Sequence, residues 1–97
     1  MTFTLEHPRE NIVRIARKIG YQILGNEKNN EFNLVRTFGG NFYPRFHLYV
    51  KQEPGSIIFN LHLDQKKPSY GVAHAHSGEY EGELVFVEAE RIKSLIH

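Results

Sequence analysis

Two neighbouring segments in the middle of the chain alternate between apolar and polar residues, and this alternation constrains the fold more than any other feature. In residues 42–52, Phe46, Leu48 and Val50 alternate with more polar side chains. In residues 57–64, every odd-numbered position is apolar. A period of two is typical of β-strands that bury one face, so the sequence predicts an antiparallel hairpin.

The turn that joins these strands, residues 53–56, determines which residues lie opposite each other. Core residues have even numbers on the first strand and odd numbers on the second. Opposed residues share a face of the sheet, so each pair must combine an even with an odd number. A loop centred on Pro54 and Gly55 then predicts three polar pairs, which are His47 with His62, Arg45 with Asp64, and Tyr49 with Asn60.

Further elements are indicated on both sides of the hairpin. Isoleucine and alanine at helical spacing predict a helix over residues 8–19, which Gly20 ends. Residues 83–96 are predicted as a second helix, although the strand-like composition of residues 84–87 allows a later start. Short strands are predicted over residues 21–24 and 32–38, polar turns over residues 25–31 and 39–41, and a long segment without a clear period over residues 65–82.

Together these elements predict an α+β fold in one domain that spans residues 1–97. We expect an antiparallel meander of about four strands, with an N-terminal and a C-terminal helix packed on one face. The helices cover the face with Phe46 and Leu48, so the face with His47 and His62 stays open. An open face suits a ligand site, and it also suits a second copy of the chain, so a homodimer is a further expectation.

A cluster of imidazole and carboxylate groups on this open face predicts a metal site. Opposed Cβ atoms lie ~4.5–5.5 Å apart, which brings His47 and His62 within reach of one ion. Asp64 follows on the same face, and the long segment after it contains His74 and His76. Such ligands suit Zn²⁺, Mn²⁺, Fe²⁺ or Ni²⁺. We expect the site to consist of His47, His62, Asp64 and His76, with His74 or Glu79 as an accessory group.

Three protein ligands and one water would give this site the composition of a catalytic centre, so hydrolysis is the first chemistry to test. No motif of fixed spacing, such as H-E-x-x-H, is present, and no organic cofactor is indicated. Polar surface without a ligand is the alternative interpretation of the histidines. The pairing of Arg45 with Asp64 is likewise typical of a surface ion pair.

A second hypothesis starts from the short element His74-Ala75-His76, which has Tyr80 nearby. It is similar to the His–hydrophobe–His element of endonucleases that nick single-stranded DNA, where the histidines bind a metal and a tyrosine is the nucleophile. Two histidines around one alanine also arise by chance. Phosphodiester chemistry with His47 and His62 as acid and base is a related alternative.

Binding without chemistry is the third hypothesis. Its candidate residues are basic or aromatic, namely Arg45, Lys51, Lys66, Lys67, Tyr43, Tyr49 and Tyr70. Aromatic rings on a sheet can stack single-stranded bases while Lys and Arg contact phosphates. A formal net charge of only +1 weakens the case for nucleic acid, as do the acidic residues Glu79, Glu81 and Glu83. A protein partner is the other form of this hypothesis.

Several classes of protein are excluded by what the sequence lacks. There is no cysteine, which excludes disulfides and thiolate metal ligands. The longest unbroken apolar run is residues 84–87, far short of the ~20 residues that span a bilayer. Residues 1–9 show no pattern of a signal peptide. We therefore expect a cytoplasmic protein with no membrane partner.

Three segments, residues 43–49 (Tyr-Pro-Arg-Phe-His-Leu-Tyr), 60–70 (Asn-Leu-His-Leu-Asp-Gln-Lys-Lys-Pro-Ser-Tyr) and 76–80 (His-Ser-Gly-Glu-Tyr), resemble small bacterial proteins of unknown function. The resemblance covers most of the chain from Ile12 onward. It implies a complete small protein, and it implies no activity and no catalytic residues.

Overall fold

An antiparallel sheet with two helices on one face is the framework of the computed structural model. The structure describes residues 1–65 and 78–96, and at residues 26, 27 and 78–81 the backbone alone. The described elements are β1 (Thr2–Glu6), α1 (Ile12–Ile19), β2 (Gln22–Lys28), β3 (Glu31–Thr37), β4 (Arg45–Glu53), β5 (Ser56–Asp64) and α2 (Gly78–Leu95). The predicted α+β class is confirmed, but the sheet has five strands rather than about four, in the order β1-β5-β4-β3-β2.

The central hairpin of β4 and β5 forms as the alternation predicts. The three predicted pairs are confirmed, since His47 lies opposite His62, Arg45 opposite Asp64, and Tyr49 opposite Asn60. The loop contains only Pro54 and Gly55. Gly55 has a φ of 76°, in the left-handed region that glycine adopts without a steric penalty.

Both helices pack on one face of the sheet, as predicted. The core on that face combines residues of the two helices with residues of the strands, and its fully or nearly fully buried members include Ile15, Ile19, Leu34, Leu48, Phe59, Leu61, Ala89 and Ile92. The opposite face of the sheet carries no described helix. The site residues predicted on β4 and β5 lie on this face, which no described helix covers.

Helix α1 begins at Ile12, so the predicted start at residue 8 is wrong. Asn11 has extended backbone angles, and its side chain accepts a hydrogen bond from the backbone N–H of Arg14 at 2.9 Å. This contact satisfies an amide that has no partner inside the helix, and it fixes the first turn there. The predicted end is confirmed, because Gly20 adopts a φ of 82° after the last helical residue.

Helix α2 begins at Gly78, earlier than the predicted residue 83, and the alternative of a start after residues 84–87 is wrong. The strand-like residues are helical because Val85 belongs to the stripe that continues with Ala89 and Ile92 against the core. Two of these residues face outward, and Phe86 is 53% and Val87 63% exposed. No described helix is both long and apolar enough to cross a membrane.

Strand β1 was not predicted from the sequence. It pairs antiparallel with β5, and the ring of Phe3 stacks on that of Phe59 with a centroid distance of 5.1 Å. Met1 extends the pairing, since its carbonyl accepts from the Leu61 amide at 2.7 Å. A five-residue strand whose partner residues lie 50 to 58 positions away gives a weak local pattern, because its stability comes from the pairing itself.

The predicted polar turn over residues 25–31 is wrong. Strand β2 continues to Lys28, with a shift in register after Leu24 where Gly25 has a φ of 64°. The chain reverses at Asn29 and Asn30, which have φ of 54° and 61°. Asparagine tolerates this left-handed region better than most residues, so two asparagines can close a tight hairpin.

The predicted tight turn over residues 39–41 is also wrong, because the whole of residues 38–44 connects β3 to β4. Strand β4 begins at Arg45 instead of residue 42. Pro44, which precedes it, has no N–H to donate to a neighbouring strand, so regular pairing starts after it. Thr37 pairs with Arg45 at this point, and the register between β3 and β4 is regular from there to Glu31.

A buried carboxylate joins α2 to the rest of the fold. Glu88 accepts hydrogen bonds from Tyr21 Oη at 2.6 Å, from Arg91 at 2.8 and 2.9 Å, and from Arg36 at 3.3 Å. Arg91 also donates to the carbonyl of Ile19 at the end of α1 at 2.6 Å. Burial alone would raise the pKa of Glu88, but the bonds from Arg91 and Tyr21 and the charge of Arg36 hold that pKa below its usual range.

We expect Glu88→Gln to lower the free energy of unfolding at pH 7 by about 1–3 kcal/mol, because two arginines lose their charged acceptor. A depressed pKa in the folded state adds stability above the unfolded pKa, about 4.3 for glutamate, and this stability is lost as the pH falls through the folded pKa. Urea denaturation from neutral to acidic pH should therefore show a smaller loss of stability in the variant than in the wild type.

The matched control is Glu90→Gln on the same helix, where the side chain is 51% exposed and pairs with Lys93 at 2.6 Å. An exposed pair contributes little, so this variant should follow the wild type. Equal effects of the two substitutions would contradict the structural role of Glu88.

Candidate functional site

The open face of the sheet carries side chains from all five strands, and the candidate site residues on it come from β1, β3, β4 and β5. The alternation of the strands and their register place on it Thr2, Thr4, Glu31, Asn33, Arg45, His47, Tyr49, Lys51, Ile58, Asn60, His62 and Asp64. Polar, aromatic and titratable groups predominate, in contrast to the aliphatic core on the other face. This is where the sequence predicted a site.

His47 is the most constrained side chain of this face. Its Nδ1 lies 3.2 Å from Asp64 Oδ2, and its Nε2 lies 3.1 Å from Asn33 Oδ1. Asp64 also accepts from Arg45 Nε at 3.3 Å, so the predicted ion pair of Arg45 and Asp64 is present. Only 12% of the His47 side chain is exposed. Asn33 on β3 and Asp64 on β5 thus hold one imidazole in place from both sides.

The contacts of His47 determine which of its nitrogens is available for chemistry. A carboxylate can only accept, so Nδ1 of His47 carries the hydrogen that is donated to Asp64. In the neutral ring, Nε2 then has a lone pair. The atom that it faces is Asn33 Oδ1, so the amide of Asn33 has to turn before its NH₂ group can donate to Nε2. Nε2 is therefore the atom of His47 that can take a proton or bind a metal ion.

Tyr49 connects the two histidines. Its ring stacks on the ring of His47 at a centroid distance of 4.0 Å and an angle of 19°, and it meets the ring of His62 edge-on at 5.3 Å and 83°. We call His47, Tyr49 and His62 the aromatic cluster. Tyr49 is 46% exposed. The ring nitrogens of His62 have no hydrogen-bond partner among the described residues, so they remain available to a ligand.

A shallow groove of about 340 Å³ lies beside the aromatic cluster, between β3, β4 and β5. Its lining consists of Glu31, Phe32, Asn33, Tyr49, Val50, Lys51, Ile58 and Asn60. We call this the amide groove, because Asn33 and Asn60 both lie directly opposite Tyr49, on either side of it. The sequence analysis placed Asn60 on the open face but not Asn33, and it assigned no function to either residue.

A second groove, of about 440 Å³, lies on the helix side next to Glu88. Phe38, Phe46, Leu84 and Val87 supply its apolar walls, with Arg36 and Thr37 beside them. Nothing in the sequence pointed to Glu88, which stands in a helix with several other charged residues. Both of its carboxylate oxygens are bonded to Tyr21 or to arginine, which fits a structural role.

The predicted site residues are only partly brought together. His47, His62, Asp64, Arg45 and Tyr49 share the open face. The remaining predicted residues, His74, His76, Lys66, Lys67, Tyr70 and the side chains of Glu79 and Tyr80, lie outside the described residues. Within residues 1–65 and 78–96, no three His, Asp or Glu side chains form a group that could hold a metal ion.

Comparison with known proteins adds no family or relative. No family model matches the chain, and neither the curated proteins nor the solved structures contain a match.

We expect neutral His47 to carry its hydrogen on Nδ1, because Asp64 accepts it there. Long-range ¹H–¹⁵N NMR spectra above about pH 8, where imidazole is neutral, report this tautomer directly. Asp64→Ala should shift His47 toward the Nε2–H form, whereas Asp64→Asn keeps an acceptor and should preserve the wild-type form. A neutral wild-type ring with its hydrogen on Nε2 would show that Asn33 Oδ1, and not Asp64, accepts it, which would contradict the expectation.

Proposed function

We propose that this protein binds a divalent transition-metal ion, with Zn²⁺ as the first candidate, through His47 and His62 on the open face of the sheet. The observation that supports this most is the direct cross-strand pairing of the two histidines. Opposed Cβ atoms in an antiparallel sheet lie ~4.5–5.5 Å apart, close enough for two imidazoles to share one ion.

The environment of His47 supports a role as a metal ligand. Histidine ligands usually donate their second ring N–H to a carboxylate, which orients the ring and makes the ligating nitrogen more basic. His47 has this partner in Asp64, and its Nε2 contacts a neutral amide of Asn33 that a metal ion can displace. His62 is exposed and has no competing partner among the described residues.

In this proposal Asp64 is a positioning residue rather than a ligand. Its carboxylate already accepts from Arg45 and His47, and the guanidinium lowers its capacity to attract a cation. Two imidazole ligands leave coordination positions for other groups, for which His74, His76 and water are the candidates that the sequence predicts. A bound water is the nucleophile that metal-dependent hydrolysis uses, so hydrolysis is the reaction class to assay once binding is shown.

The charges of the open face favour a metal ion or a neutral ligand over a polyanion. Among the described residues of this face, Arg45 and Lys51 stand beside the acidic residues Glu31 and Asp64. A face of mixed charge does not attract a nucleic-acid backbone strongly. A homodimer that covers the exposed ring of Tyr49 stays a prediction, as does a protein partner.

We expect metal-free protein to bind Zn²⁺ and Ni²⁺ in isothermal titration calorimetry, and His47→Ala and His62→Ala each to weaken this binding at least tenfold. The affinity should fall as the pH is lowered, because imidazole must be neutral to bind a metal ion. His74→Ala and His76→Ala identify any ligand supplied by the long segment, and they are measured in parallel.

The matched control is His7→Asn, which removes a histidine at the other end of the sheet. His7 has a φ of 51°, and asparagine tolerates this conformation. This variant should bind the metal as the wild type does. Circular dichroism confirms that each variant is folded. Unchanged affinity in the double variant of His47 and His62 would overturn the proposal.

A further inference from the structure

Tyr49 presents a fixed aromatic surface to the amide groove. His47 lies two residues before Tyr49 on β4 and stacks on one face of its ring, at a centroid distance of 4.0 Å. The groove extends in the other direction along the strand, toward Lys51. The edge contact with His62 restrains the ring further. A ring that is held in place and still 46% exposed is suited to stack a second planar group, because little conformational entropy is lost on binding.

Two side-chain amides flank this surface at the same level of the sheet. Asn33 on β3 and Asn60 on β5 both lie directly opposite Tyr49. Asn60 accepts a hydrogen bond from Thr2 at 3.2 Å, which leaves its NH₂ group for a ligand. Asn33 contacts His47 with its Oδ1, which leaves its NH₂ group for a ligand. Amides supply both donors and acceptors, as the edge of a heterocyclic base requires.

The charges around the groove exclude an anion as its main ligand. Lys51 contacts Glu53 at 3.5 Å and lies opposite Glu31 in the register of β3 and β4. One cation between two carboxylates provides no net positive charge. The volume of about 340 Å³ is at the lower end for small-molecule sites, which fits a group the size of one base.

We infer that the amide groove binds a single unpaired nucleobase, stacked on Tyr49 and hydrogen-bonded along its edge by Asn33 and Asn60. The base can belong to a free nucleoside or to a single strand of nucleic acid, since the recognised chemistry is the same. No histidine lines the groove, so this inference does not require that a metal ion is bound.

The test is a titration of the ¹⁵N-labelled protein with the four ribonucleosides and, in a second arm, with short single-stranded oligonucleotides. We expect the nucleosides to shift the amide resonances of β3, β4 and β5 around Tyr49. Their affinity should not depend on salt, because stacking and neutral hydrogen bonds release no counterions. An oligonucleotide that binds more tightly than the nucleosides, with an affinity that is equally independent of salt, would identify a single strand as the source of the base.

Tyr49→Leu should weaken nucleoside binding about tenfold or more, since a base loses its stacking partner. Asn60→Ala should weaken it several-fold and leaves the ring in place. The matched control is Phe42→Leu, which removes an aromatic ring that is 77% exposed outside the groove and should change nothing. His62→Ala should weaken metal binding at least tenfold and should change nucleoside binding much less than Tyr49→Leu does, so that the failure of one site can be told from the failure of the other.

Three outcomes would overturn the inference. In the first, nucleosides shift no resonance near Tyr49. In the second, both Tyr49→Leu and Asn60→Ala remain folded and bind as the wild type does. In the third, only oligonucleotides bind and their affinity falls steeply with salt, which would show that phosphates and not bases are recognised.

Discussion

The register of the β4–β5 hairpin, which the two-residue loop at Pro54 and Gly55 sets, is the constraint on which the structure and both proposed sites depend. A slip of one residue would move every side chain of a strand to the other face. A slip of β4 would bring His47 into the core and expose Leu48 to water, and a slip of β5 would do the same to His62 and Leu61. The burial of the aliphatic residues therefore also positions the two imidazoles, although these contribute nothing to the core themselves.

Asn33 links the metal site and the amide groove. Its amide contacts Nε2 of His47, the atom proposed to bind a metal ion, and the same side chain lines the groove beside Tyr49. A metal ion on His47 would displace the amide of Asn33 and change the hydrogen bonds that this side chain offers to a base. Because any such coupling is reciprocal, a bound base would change the affinity for the metal by the same factor.

The sequence predicted the parts of the structure that local patterns determine. Alternation and a short turn were enough to pair His47 with His62 and to separate the open face from the core. The position of Asn33 opposite Tyr49 could not be derived, because residues 38–44 form a long connection that does not fix the register between β3 and β4. The same holds for Glu88, whose partners Tyr21 and Arg36 are brought to it only by the packing of α2 against the sheet.

The two edges of the sheet have a consequence for how copies of this chain can associate. One edge strand, β2, contains the irregularity at Gly25, and the other, β1, has five residues only. Bulged or short edges offer few regularly spaced backbone groups to a further strand, and natural proteins use them to prevent lateral growth into filaments. Crowding of this protein at high concentration should therefore not lead to open-ended, cross-β-like stacks. Self-association through the broad surface between the edges would instead end at a closed pair.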